Sequence, residues 1–288
     1  MLCQTYVVLF IFLILELRNV RMHDRVVGGK KCSVEEVPFI VSIRRSFNFQ
    51  HFCGGSLISS RWVLSAAHCF EKMKPSELRL LVGLSEAHRN MAQTLNAKSI
   101  FLHEDFDTYY YRNDIALVLL DHKVIMFRGV VSTIKLPPPN TPDDLSGICG
   151  SKFRLAGWGS TEIWSKEKPA YHPSPIFKCV ELPYVTNDKC KDFTDFPSDN
   201  IMCTFVPEGG KDGCQGDSGG PLFCNSMQYG IVSFGFGCGA AQTPAFYTRV
   251  DKYLDFINKT IHLRNDSACL SILRFLLISS YVLHILIY

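Results

Sequence analysis

Between residues 39 and 250 the chain alternates short apolar runs with clusters of turn residues. The runs are Phe39 to Ile43, Ser56 to Ser59, Trp62 to Ser65, Leu78 to Leu84, Ile115 to Leu120, Phe153 to Ala156, Phe177 to Val185, Tyr229 to Phe234 and Phe246 to Val250. Each is short enough for a strand and rich in β-branched or aromatic residues, so the pattern predicts all-β barrels or sandwiches. A helical period appears only near the end, where Val250, Leu254, Ile257 and Ile261 fall on one face. No internal repeat interrupts the series. Pro137 to Pro142 reads as a linker between two β halves.

The two ends of the chain follow a different pattern. Tyr6 to Leu15 is almost purely apolar, the length of a signal-peptide core and too short to cross a bilayer. It lacks a basic start and a small-residue cleavage pair, so residues 1–20 read as a signal peptide with an uncertain end, the alternative being an uncleaved anchor. Leu270 to Tyr288 is apolar apart from Arg274, His284 and a few serines, and it follows the small or polar run Asn265-Asp266-Ser267-Ala268. That layout suits a signal for lipid (GPI) attachment. A membrane span and a packed extra helix are the rivals, although Arg274 and His284 sit badly inside a span.

Composition narrows the function. Of 288 residues, 47% are hydrophobic and 20% charged, a globular balance, and the net charge of +3 comes with no basic stripe, which argues against a nucleic-acid partner. Twelve cysteines occur without a CxxC pair or an HExxH helix, so disulfides, and hence an oxidising compartment outside the cell, account for them better than metal. Asn258-Lys259-Thr260 and Asn265-Asp266-Ser267 are glycosylation sequons fitting an exported chain.

The chemistry concentrates in Asp212-Gly-Cys-Gln-Gly-Asp-Ser-Gly-Gly-Pro221. A Ser is a poor nucleophile at neutral pH and needs a nearby base and backbone N–H donors for the oxyanion it creates. The glycines around Ser218 allow a tight turn to present such donors. His68 stands at the end of an apolar strand in Ser-Ala-Ala-His-Cys, and Asp114 directly precedes another in Asn-Asp-Ile-Ala-Leu. Singly these are a packed histidine and a capping acid; together with Ser218 they supply base, orienter and nucleophile. Arg25 followed by Val26-Val27-Gly28-Gly29 has the form of a processing site, and cleavage there would create a Val26 ammonium for which Asp217 is a candidate partner.

In order and spacing, Val-Val-Gly-Gly, Ala-Ala-His-Cys, Asp-Ile-Ala-Leu, Gly157-Trp158-Gly159, Gly-Asp-Ser-Gly-Gly-Pro and the closing helix make the chain resemble the chymotrypsin-family, trypsin-like serine proteases from Val26 to about His262. The resemblance implies two six-stranded antiparallel β-barrels with a C-terminal helix, a propeptide over residues 21–25 and a protease domain over 26–262, and it leaves the hydrophobic tail over 263–288 outside the family's pattern. It implies catalysis by His68, Asp114 and Ser218 with an oxyanion hole from the N–H groups of Gly216 and Ser218. It places Asp212 at the base of the primary pocket, where it would pair with Arg or Lys, Ser233 beside Asp114, and Gly235 and Gly237 in the pocket walls. Ala245 stands where trypsins usually carry Gly, Phe234 replaces a usual Trp, and Tyr111 borders the neighbouring subsite. The implied disulfides are Cys32–Cys179, Cys53–Cys69, Cys190–Cys203, Cys214–Cys238 and Cys149–Cys224, the last requiring a bulge because seven residues separate Cys149 from Gly157 where the family has three. No cofactor is implied, and no metal, because the loop from Leu84 to Asn90 carries one acid where a hard cation needs several oxygens. The expected partners are protein or peptide substrates, an activating protease, protein inhibitors and a membrane through the tail. The rival from another class is a cell-surface binding module on the same fold, with Ala245 and the long loop from Ser160 to Ile176 in its favour.

Overall fold

A computed structural model of the protein describes residues 27–84, 91–150, 152–160, 174, 177–194 and 199–264. Thirteen strands appear among them: β1 (Lys30–Lys31), β2 (Ile40–Arg45), β3 (His51–Leu57), β4 (Trp62–Ser65), β5 (Leu78–Val82), β6 (Gln93–Leu102), β7 (Ala116–Leu120), β8 (Lys152–Gly157), β9 (Lys178–Val185), β10 (Ile201–Phe205), β11 (Pro221–Cys224), β12 (Met227–Gly235) and β13 (Pro244–Arg249). The helices are α1 (Asn187–Lys191) and α2, which covers 254–264 after a 3-10 turn at Val250–Tyr253.

Twelve of the strands close into two antiparallel barrels. The first runs β2-β3-β4-β7-β6-β5, with β5 returning to β2 through Val41↔Val82 to Arg45↔Leu78. The second runs β9-β10-β13-β12-β11-β8 and closes where β8 pairs with β9, while β1 adds to the β9 edge through Lys30↔Cys179. Closure removes the unpaired edges that an open sheet of this size would expose. Residues 137–142 hold no strand and link the two halves, as their composition predicts.

The predicted apolar runs coincide with β2, β4, β5, β7, β8, β9, β12 and β13, within one or two residues at most ends, because their buried positions fill the barrel interiors. Val41, Ile43, Leu57, Leu64, Leu80 and Leu117 pack the first barrel. Phe153, Leu155, Leu182, Met202, Leu222 and Tyr247 pack the second. A third cluster, with Phe39, Ile40, Ile134, Trp158 and Phe223, joins residues of both halves, and Phe39 meets Phe223 edge-on at 5.0 Å. Val250, Tyr253 and Ile257 carry the start of α2 onto the first barrel, so the chain ends by tying its second half to its first.

All five implied disulfides form. The extra residues after Cys149 are absorbed by a tight turn in which the Lys152 N–H donates to the Cys149 carbonyl at 3.1 Å and Gly150 takes a left-handed φ of 56°. Cys149 meets Cys224 just ahead of β8. Cys3 and Cys269 lie outside the described residues, as do the predicted signal peptide, the propeptide and the tail beyond Arg264; Leu263 and Arg264, predicted to belong to the tail, continue α2. Among the described residues, no helix is long and apolar enough to cross a membrane.

Candidate active site

The site forms where the two barrels meet. β4 ends at Ser65, and a 3-10 turn over Ala67–Cys69 swings His68 out of the first barrel while Cys69 is bonded back to Cys53. Asp114, fully buried, sits just ahead of β7, and its carbonyl accepts from the Thr248 hydroxyl of β13 at 2.9 Å. Its carboxylate is met by three donors. The His68 backbone N–H donates to Oδ1 at 2.8 Å, the His68 Nδ1–H to Oδ2 at 2.7 Å and the Ser233 hydroxyl to Oδ2 at 2.5 Å. A carboxylate is acceptor-only when ionised, so it fixes the proton of His68 on Nδ1 and leaves Nε2 as the basic nitrogen.

Ser218 comes from the second barrel, in the turn between Cys214 and β11. Two opposed constraints shape that turn. The Asp217 N–H donates to the Cys214 carbonyl and the Gly220 N–H to the Asp217 carbonyl, each at 2.8 Å, which curls the chain tightly; Gly216 and Gly219 take φ values of 101° and 77° that an L side chain rarely adopts. From outside, the Gly54 N–H of β3 donates to the Ser218 carbonyl at 2.7 Å, so the first barrel holds the nucleophile's backbone. A side chain at Gly219 would strike the Ser65 hydroxyl and the Gly54 carbonyl.

His68, Ser218 and the buried Asp212 line one cleft of about 430 Å³. The Asp212 carboxylate accepts the Gly239 N–H at 2.9 Å, yet burial, helped by the nearby Asp217 charge, pushes its pKa up to about 7. Gly235 and Gly237 form part of the wall, and Ala245 faces Gly235 across the β12–β13 ladder with its methyl group lining the cleft. Phe234 stacks on Phe246 at 4.6 Å and meets Tyr111 at 5.6 Å, while Tyr111 approaches the His68 ring at 5.4 Å. His68, Ser218, Asp212, Ser233, Gly235, Gly237 and Ala245 thus line one cleft, with Asp114 bonded to His68.

Asp217 points away from the cleft. Its Oδ1 accepts the Gly159 N–H at 2.8 Å and its Oδ2 the Cys214 N–H at 3.0 Å, and neither Gly157 nor Gly159 has room for a Cβ beside it. Complete burial still pushes its pKa up to about 6. Val27 packs with Cys214 and Cys238 beneath the pocket, and its carbonyl accepts the Asp212 N–H at 3.2 Å. Arg25, Val26 and Asn265 lie outside the described residues; Asn258 is exposed on α2.

Two features of the site carry no motif in the sequence. His51, buried, donates from Nε2 to the Gly216 carbonyl at 2.8 Å and bonds the Ser42 hydroxyl through Nδ1 at 2.9 Å. Tyr109 and Tyr110 also line the cleft, a role at which only the run of three tyrosines hints. Cys53, His68 and Cys69 bring their ligand-type atoms together, but both sulfurs are already joined in a disulfide, which leaves them unavailable to an ion.

Comparison with known proteins agrees with the geometry. The family model for trypsin matches residues 26–257. The chain is 36% identical over 245 residues to trypsin of Sus scrofa, covering 83% of this chain and 96% of the relative. It is 37% identical over 243 residues to serine protease 1 of Homo sapiens and 35% over 245 residues to cationic trypsin-3 of Rattus norvegicus, in both cases covering 83% of this chain and 90% of the relative.

Proposed function

The chain belongs to the trypsin family and is a serine endopeptidase, and from that premise we propose that it is a zymogen, activated by cleavage after Arg25, that hydrolyses peptide bonds after Arg or Lys through Ser218, His68 and Asp114. The observation that carries this reading is the three-donor carboxylate of Asp114, which holds the His68 proton on Nδ1 and leaves Nε2, 3.9 Å from the Cys69 sulfur, as the nitrogen that takes a proton in the cleft shared with Ser218. His68 takes the Ser218 proton as Oγ attacks the scissile carbonyl, and later gives it to the leaving amine. The imidazolium formed between these steps is stabilised by Asp114. The N–H groups of Gly216 and Ser218 receive the developing oxyanion. Water then repeats the sequence on the acyl-enzyme and frees Ser218.

Asp212 supports the specificity. A buried carboxylate in the lining of a cleft walled largely by glycines and aromatic rings pairs best with a long cationic side chain, whose stem packs on the walls while its head reaches the acid. The Ala245 methyl group narrows that path and favours the slimmer Lys relative to a pocket with Gly there. Activation follows from Asp217, whose raised pKa marks a carboxylate in want of a cation. The Val26 ammonium would supply it and fix the turn that carries Gly216 and Ser218.

Five disulfides fit an oxidising, extracellular setting. The composition of residues 265–288 supports surface attachment through a lipid anchor, which release of the protein from cells by a phosphatidylinositol-specific phospholipase would test. The catalytic reading is tested with the chain cleaved after Arg25, assayed on paired Arg and Lys chromogenic peptides beside Ser218→Ala. Turnover that the variant lacks is expected; a folded, cleaved, inactive enzyme would overturn the assignment of Ser218 and Asp212.

A further inference from the structure

We propose that Arg44 is a positioning residue for the reaction, acting through Ser42 and His51 on the Gly216 carbonyl and so on the turn that presents the Gly216 N–H. The proposal rests on the reading of Gly216 as an oxyanion donor.

The relay starts from a backbone irregularity. β2 and β3 pair Ile43 with Cys53 but Arg44 with His51, so Phe52 is bulged and His51 comes onto the same face as Ser42 and Arg44. Arg44 is partly buried. Its Nε–H donates to the Ser42 hydroxyl at 3.0 Å, and a terminal N–H donates to the Phe49 carbonyl at 3.2 Å. A guanidinium can only donate, so one Ser42 lone pair is occupied and the Ser42 proton is directed to His51 Nδ1 at 2.9 Å. Nδ1 is then the acceptor nitrogen, and the ring proton resides on Nε2, 2.8 Å from the Gly216 carbonyl, which requires a donor there. Both ends of the relay demand the same tautomer. The groups facing His51 include Arg44 and Ser42 from β2, the Trp158 ring from the segment after β8, and the Gly216 carbonyl, next to buried Asp217, from the turn. Burial and the Arg44 charge, partly opposed by the Gly216 bond, keep His51 neutral, with a pKa lowered to about 4. The Gly216 carbonyl is thus fixed at a φ of 101° by a chain of donors that begins at the protein surface.

The test uses the full chain cleaved after Arg25, with Arg44→Met, Arg44→Lys and, should Arg44→Met fail to fold, Ser42→Ala. For Arg44→Met the expected result is a kcat on a peptide amide lower by about tenfold, the size of one net hydrogen bond, with KM and benzamidine affinity unchanged. The His51 resonance should titrate above its wild-type midpoint, and Arg44→Lys should recover part of both effects. A purely structural Arg44 would alter thermal stability and, through its lost charge, the His51 midpoint, but would leave kcat unchanged in the folded variant. Unchanged kcat in Arg44→Met, or in Ser42→Ala, would overturn the relay. A separate measurement isolates its premise: in the wild type the Gly216 and Ser218 amide resonances should shift when a peptide boronic acid binds. No shift there removes the oxyanion assignment and the proposal with it, whereas a shift combined with unperturbed variants removes the relay alone.

Discussion

At the scale of single residues, buried acids set the pH behaviour. Asp212 loses its proton only near pH 7, because burial penalises the carboxylate more than the Gly239 and Gly213 N–H groups favour it. A cationic ligand binds the ionised form. Benzamidine affinity should therefore weaken by about tenfold per pH unit as pH falls below about 7, and Asp212→Asn should weaken binding overall and flatten that slope; a wild-type affinity constant between pH 5 and 7 would contradict the assignment. Ala245→Gly removes the methyl group that lines the cleft, and the ratio of kcat/KM for Arg over Lys peptides should rise several-fold, about what 1 kcal/mol of relieved contact gives. Asp212 was legible from the motif around Ser218, and Ala245 from the family resemblance. Ser42 and His51 were not, because they become functional only through a bulge that brings a serine, an arginine and a histidine onto one face of a two-stranded ladder.

At the scale of elements, legibility followed the strength of the hydrophobic pattern. The β7 strand is buried along its whole length and reads as an unbroken apolar run. The β6 strand escapes the pattern because its inward positions near the start are only Leu95 and Ala97, set between Thr94, Asn96 and Lys98, so the alternation carries little hydrophobicity. The β10 and β11 strands are hidden by their cysteines and by the proline that opens β11. The β3 strand is recognisable only at its Ser56 end, since His51 to Gly55 looks like a turn until the catalytic turn is seen packed against it. α2 was legible because its face repeats Val250, Leu254, Ile257 and Ile261, although the most buried pair proves to be Tyr253 and Ile257 beside Val250. Truncating Ile257 to Ala should cost about 2–5 kcal/mol by leaving a cavity against the first barrel. Tyr253, which donates to the Asn113 side chain at 2.8 Å beside Asp114, should then be loosened as well. Urea unfolding would measure the first effect and kcat the second; an unchanged midpoint would mean that α2 is dispensable to the fold.

At the scale of the whole molecule, neither barrel holds a complete site. The first brings His68 and Asp114, and the second brings Ser218, Asp212 and Ser233, so catalysis depends on how tightly the halves are joined. On the proposed activation, cleavage after Arg25 would adjust that joint through Asp217, and the titration of Asp217 supplies a test. In the uncleaved chain its pKa is raised from the ordinary 3.8 to about 6. The native state then holds a proton that the unfolded state has released, so this contribution to stability is fully present below about pH 3.8 and lost as pH rises through about 6. A rise of that size is worth roughly 3 kcal/mol. Once a Val26 ammonium pairs with the carboxylate, the folded pKa falls and the sign reverses: stability is present at neutral pH and lost as pH falls. Above about pH 8 the ammonium itself begins to deprotonate and the gain declines. Asp212 is raised by burial in both forms, and the part of its rise that comes from the Asp217 charge is relieved by the same ammonium, which adds to the difference between them. Melting temperatures of the chain before and after cleavage at Arg25 should therefore diverge between pH 6 and 8, the cleaved form being the more stable, and converge toward pH 4. Replacing Asp217 by Asn should abolish the divergence. Parallel curves for the cleaved and uncleaved chains would mean that the new terminus does not reach Asp217.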